Sequence, residues 1–274
     1  MKAITLIICL LLHAISSITF QEVITNLKTL ETYIKEYKTI KKSRYPLTHL
    51  IVTYIREEKY KGQAWSYVGG NSPHDLVTYI SKKDTEKGTK AKDCRQYGEI
   101  LLPSKEKIKF AHMFATMNAI EKGRSYTSQF SVIGGWGGDT VQLCQDIKNF
   151  NGNENQLVLE AKKFLGLKGK FSPSSLTSDL DAPIILKKKT DNNYFADIIE
   201  KYYSGFEWKN RVKNFIKITF PEAKNKAQLR SVVYKRYKKD SFVSMFEKRR
   251  GLAGHSKHCT AAAYAFADYL QKGF

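Results

Sequence analysis

Apolar residues recur along this chain at three- and four-residue intervals, the spacing that lines one face of a helix. Between residues 21 and 42 the stripe is Val23, Ile24, Leu27, Leu30, Ile34 and Tyr37. Pro46 ends that segment, and 47–58 carries the next stripe through Leu47, Leu50, Ile51, Tyr54 and Ile55. Ser72-Pro73 reads as an N-cap followed by a first-turn proline, opening a helix to about residue 82. The polar stretch 83–92, with Gly88, reads as an exposed loop. Ser104 is placed to cap a helix over 105–121, stopped by Gly123. Residues 124–133 have some strand character or form an ordered loop. Asp139 is placed to cap a helix over 140–149, and Gly166 closes another over 154–165.

Past a Gly/Pro/Ser-bearing connector at 168–175, five or six further helices are expected. They cover 176–187, 194–203, 208–218, 224–237, 241–248 and an alanine-rich 257–270. Neither an internal repeat nor a heptad pattern of coiled-coil length is present. The expectation is an all-α protein. It is a compact single-domain bundle of about ten amphipathic helices over 21–274, with one or two irregular or short β segments and a possible seam near 167–175.

The first twenty residues change the picture. Met1-Lys2 precedes an apolar run from Ala3 to Ile15, followed by Ser16, Ser17 and Thr19. A positive start, a short apolar core and a small-residue cut site describe a cleaved secretory signal over 1–20, and the run is short for a membrane span. The expected location is secreted or lumenal. Of the cysteines, Cys9 leaves with that segment, and Cys94, Cys144 and Cys259 remain. One disulfide plus one free thiol is the simplest arithmetic, with all three pairings open.

Charge adds a location. The chain carries 46 Lys and Arg against 26 Asp and Glu, a formal +20. Between residues 209 and 250 there are 14 Lys and Arg against three acids, a local +11. Random compositional bias would spread that excess. A basic docking face is therefore expected, with Lys235, Arg236, Lys238, Lys239, Arg249 and Arg250 in it and an anionic polymer or surface as partner. A monomer is expected.

Chemistry concentrates between Glu99 and Asp181. Gly134-Gly135-Trp136-Gly137-Gly138-Asp139 places a ring on a glycine-rich turn and a carboxylate at a helix start. Trp136 is expected to stack on substrate, with Gly135, Gly137 and Asp181 lining the contact. His112 sits on a small-residue helix face with Ala115, Thr116 and Ala119, suited to acid–base work beside a carboxylate. Asp179 and Asp181, two apart, would point to different sides of a helix. Glu99, beside the apolar Ile100-Leu101-Leu102, is the candidate proton donor. His255, His258 and Cys259 have ligand-like spacing without a partner motif, so neither a metal nor a cofactor is expected.

The expected catalytic set is His112, Asp139, Asp179 and Glu99. The expected activity is a cationic hydrolase acting on a cell-wall or other glycan polymer by acid–base catalysis. Two other classes remain: a non-enzymatic cationic binder or toxin acting on anionic membranes or nucleic acid, and a secreted nuclease. In the binder, Phe215, Tyr234, Tyr237 and Phe242, interleaved with Lys and Arg, would make the contacts.

Overall fold

The structure is a computed structural model, and it describes residues 18–56, 74–126, 136–166, 173–239, 241–252 and 256–274. The signal expected over 1–20 therefore lies almost wholly outside the described residues, as do Ser72-Pro73, most of 124–133, most of the 168–175 connector and His255. The described chain is all-α apart from one two-stranded antiparallel sheet.

Helix α1 (Phe20–Lys41) follows the predicted stripe: Val23, Ile24, Leu27, Leu30, Ile34 and Tyr37 are all buried. It starts where a reciprocal capping box forms, with the Thr19 side chain accepting from the Glu22 N–H and Glu22 accepting from Thr19. Helices α2 (Leu47–Arg56) and α3 (His74–Lys87) pack against α1. The expected loop over 83–92 is instead the last turn of α3 followed by a 3-10 turn, Ala91–Gln96. Buried Asp84 explains this: its carboxylate accepts the N–H groups of Ala91 and Lys92, and the Thr89 hydroxyl.

The helix expected over 105–121 is also corrected. Strands β1 (Glu99–Leu101) and β2 (Lys107–Lys109) form a hairpin, and helix α4 (Phe110–Tyr126) begins only after it. Alternation explains the strands, since Ile100 and Ile108 face inward while their neighbours do not. The turn is closed by the Lys105 and Leu102 N–H groups, with Lys105 at φ 66°.

Helices α5 (Trp136–Ile147), α6 (Glu154–Gly166) and α7 (Pro173–Lys187) follow, then α8 (Phe195–Ser204), α9 (Arg211–Thr219), α10 (Lys226–Lys239), α11 (Ser241–Arg249) and α12 (Lys257–Leu270). Asp139 is thus not an N-cap, because α5 already begins at Trp136 and Asp139 lies inside its first turn.

Helix α12 is the hub of the second half. Its buried Ala261, Ala262, Ala263, Ala265 and Ala267 let α5, α6 and α10 approach closely. Cys144 on α5 and Cys259 on α12 form the disulfide, which leaves Cys94 as the buried free thiol. Helix α4 packs on α7, so elements on the two sides of 167–175 share one core. No helix among the described residues is long and apolar enough to cross a membrane.

Candidate functional site

Three helices converge on one polar point. Helix α4 supplies His112 and, one turn on, Thr116, on the face that meets α7. Helix α7 supplies Asp179, which is 1% exposed. Helix α5 brings Asp139 to the same place, and suitable donor atoms of His112, Asp139 and Asp179 all lie within 4.8 Å of one another.

Asp179 is held from two sides. The Thr116 hydroxyl donates to its Oδ1 at 2.5 Å, and His112 Nε2 lies 3.0 Å from its Oδ2. Next along α7, the Ser178 hydroxyl donates to the Ser174 carbonyl and accepts the Lys109 N–H at 2.9 Å. That contact ties β2 to the helix turn carrying Asp179. The His112 side chain remains 27% exposed, so the pair sits at the edge of the core and not inside it.

Asp139 has no such support. Its Oδ2 is sealed from solvent with no hydrogen-bond partner, and its carboxyl group lies against that of Asp179. Burial pushes the Asp139 carboxyl well above the usual range, and the neighbouring Asp179 charge pushes it the same way, with Lys109 opposing weakly. Two carboxylates in contact cannot both stay ionised without a counter-charge. A shared proton is the simplest resolution.

The other expected residues lie elsewhere. Trp136 is 1% exposed, stacked on Phe266 at 5.5 Å between centroids and packed edge-on against Phe220 at 5.2 Å. A buried ring cannot be a stacking wall, and its role is to anchor the start of α5. Gly137 is buried beside it, and Gly135 lies outside the described residues. Glu99 is an exposed strand residue that accepts from Ser174 at 2.6 Å and faces Lys107 at 3.9 Å. It does not belong to the cluster of mutually close donor atoms.

Asp181 points away from Asp179, as helical spacing requires. It is 0% exposed and accepts from Tyr202 at 2.5 Å, Tyr203 at 2.8 Å and both Nε and Nη2 of Arg211. Every lone-pair direction is engaged, so this expected substrate contact is a core ion pair. His258 Nε2 lies 2.9 Å from the Phe150 carbonyl and Cys259 is oxidised, which removes two members of the His255-His258-Cys259 trio.

In the basic segment, Lys235, Lys238, Lys239 and Arg249 are exposed. Arg236 forks onto Glu222, and Arg250 donates to Gln142 and Gln145 on α5. Phe215 and Tyr237, expected as contacting aromatics, are buried. Tyr234 is half-buried against Tyr264, and the Phe242 side chain lies outside the description.

Sequence reasoning placed the His112, Asp139 and Asp179 group but gave Thr116 no role. Its signal was present in the four-residue spacing from His112. The Asp181–Arg211 pairing carried no comparable signal, because 30 residues and two helix starts separate the partners.

An all-α body with a histidine–aspartate–aspartate centre at the edge of its core is the class these features define. The chain belongs to the family described as YkzU uncharacterised protein, whose model matches residues 114–273, more than half the chain. That span contains Thr116, Asp139, Asp179 and both half-cystines, and begins two residues after His112. No curated protein and no solved structure matches the chain.

Proposed function

We propose that the chain is a secreted cationic hydrolase that cleaves a cell-wall or other glycan polymer by acid–base catalysis at His112, Asp139 and Asp179. The observation that supports it is the convergence of these side chains, from three separate helices, at a point where His112 stays accessible.

The roles follow from burial. Asp179, sealed and bonded through both oxygens, fixes the position and orientation of the His112 ring. His112, the exposed member, takes a proton from the attacking water. Asp139, kept neutral by burial and by the adjacent carboxylate, is the group with a proton to give to the leaving oxygen. Glu99 has no part in this scheme. The exposed lysines of α10 would concentrate an anionic polymer near the protein.

The test measures release of soluble fragments from purified cell wall and from single glycan polymers, with duplex DNA alongside. His112→Ala and Asp139→Asn should each lower the rate by roughly 10²–10⁴-fold. Cleavage of DNA alone, with the same loss in both variants, would move the substrate and keep the centre. Equal rates in wild type and variants on every polymer would end the catalytic reading.

A further inference from the structure

A proton is one way to hold two carboxylates in contact, and a divalent cation is another. We propose that His112, Asp139 and Asp179 form a binding site for one divalent transition-metal ion of the Zn²⁺ or Mn²⁺ kind. The inference uses the side chains of the proposed hydrolytic centre, but it rests on their geometry and not on the reaction.

Three features carry it. The donor set is one imidazole nitrogen and two carboxylates, a mixture that suits first-row transition ions. His112 Nε2 and Asp179 Oδ2 are 3.0 Å apart, close to the spacing of two ligands sharing one ion at about 2.1 Å. Asp139 Oδ2 is shut off from water and lacks any hydrogen-bond partner. A bound ion gives that atom the partner it lacks.

The outer contacts are those a ligating carboxylate needs. Thr116 occupies Asp179 Oδ1, which leaves Oδ2 to face the ion and fixes the plane of the carboxylate. The full set spans up to 4.8 Å, wider than the roughly 3.4 Å edge of a tetrahedral shell built on about 2.1 Å bonds. Binding therefore draws at least one side chain inward by the order of 1 Å. With three protein donors and an exposed imidazole edge, at least one coordination position faces solvent.

The experiment takes untagged full chain freed of metal by a chelator, then titrates it with ZnCl₂ and MnCl₂ by calorimetry. One ion per chain is expected for at least one of the two metals. Asp139→Asn and His112→Ala should each weaken it about 100-fold or more, and Thr116→Val about 10- to 100-fold. His258→Ala, a surface control, should leave it unchanged. Circular dichroism and thermal melting confirm that each variant is folded. Absence of a stoichiometric site, or equal affinity in wild type and Asp139→Asn, overturns the proposal.

Hydrolysis separates the two readings. Tight, Asp139-dependent binding together with undiminished cleavage in chelator means the site is real and the chemistry does not need it. No binding, with cleavage still lost in His112→Ala, removes the ion and leaves the acid–base centre.

Discussion

Asp181 and Arg211 are the pair whose loss should cost the fold most at a single position. Both lie in the core, and Arg211 also reaches Glu106 at 2.9 and 3.0 Å. Asp181→Ala takes one of its two carboxylates from the buried guanidinium, leaving only Glu106, and leaves two tyrosine hydroxyls unpaired beside a cavity. The expected loss is about 3–5 kcal/mol, read by urea denaturation. Asp181→Leu combined with Arg211→Met should recover much of it, since the buried guanidinium goes too and apolar side chains fill the space. Asp139 predicts the reverse. Its carboxyl is buried beside that of Asp179 and pushed toward the protonated form, and an asparagine there can donate to Asp179 without that cost. Asp139→Asn should leave stability unchanged or higher while activity falls, the signature of a group kept for chemistry at the expense of the fold.

Glu31 shows what one side chain does for an element. It projects from α1, is 0% exposed, and accepts the N–H groups of Phe195 and Ala196 at 2.9 and 2.8 Å, capping α8 from another helix. Burial raises its pKa to about 7 from an ordinary 4.5, with the two N–H bonds opposing. Between those values the folded chain holds a proton that the unfolded chain has released. Stability contributed by the neutral group is complete below pH 4.5 and is lost as pH rises toward 7, by up to about 3 kcal/mol. Denaturation midpoints measured from pH 4.5 to 8 should fall with this slope, and Glu31→Gln should flatten it. The disulfide works at the same scale. It closes a separation of 115 residues between α5 and α12, and its reduction or the double Cys144→Ala, Cys259→Ala change should cost about 2–4 kcal/mol.

Legibility in the sequence followed the range of each interaction. Helix existence depends on local periodicity, so nearly every described helix was found, most within a few residues. The exceptions are places where a distant or buried group decides: Asp84 extends a helix into a supposed loop, and the 99–109 hairpin displaces the start of α4. His112 stood out because a histidine on a small-residue helix face is locally odd, and Asp179 as one of two aspartates two residues apart. Trp136 misled because glycines beside an aromatic suggest an open loop, whereas here Trp136 starts a helix with its ring stacked in the core.

Across the whole molecule, the excess positive charge is less available than its count suggests. Of the segment's 14 basic residues, Arg211, Arg230 and Arg236 are committed to carboxylates, and Arg250 to two glutamines. The other ten are exposed, and of these Lys235, Lys238 and Lys239, clustered at the end of α10, are the residues proposed to meet an anionic polymer. Binding to a polyanion such as duplex DNA should then weaken by an order of magnitude or more between about 50 and 200 mM salt if several phosphates are neutralised. Changing those three lysines to glutamine should lower the slope of log affinity against log salt by up to about 3, close to one unit per contact. Arg236→Gln should act differently. It frees Glu222 and loosens a surface pair worth at most about 1 kcal/mol, so it should change the slope less than any one of the lysines does. Fluorescence anisotropy across a salt series reads both quantities. An affinity indifferent to salt, or a triple variant with the wild-type slope, would show that these lysines do not form the docking surface.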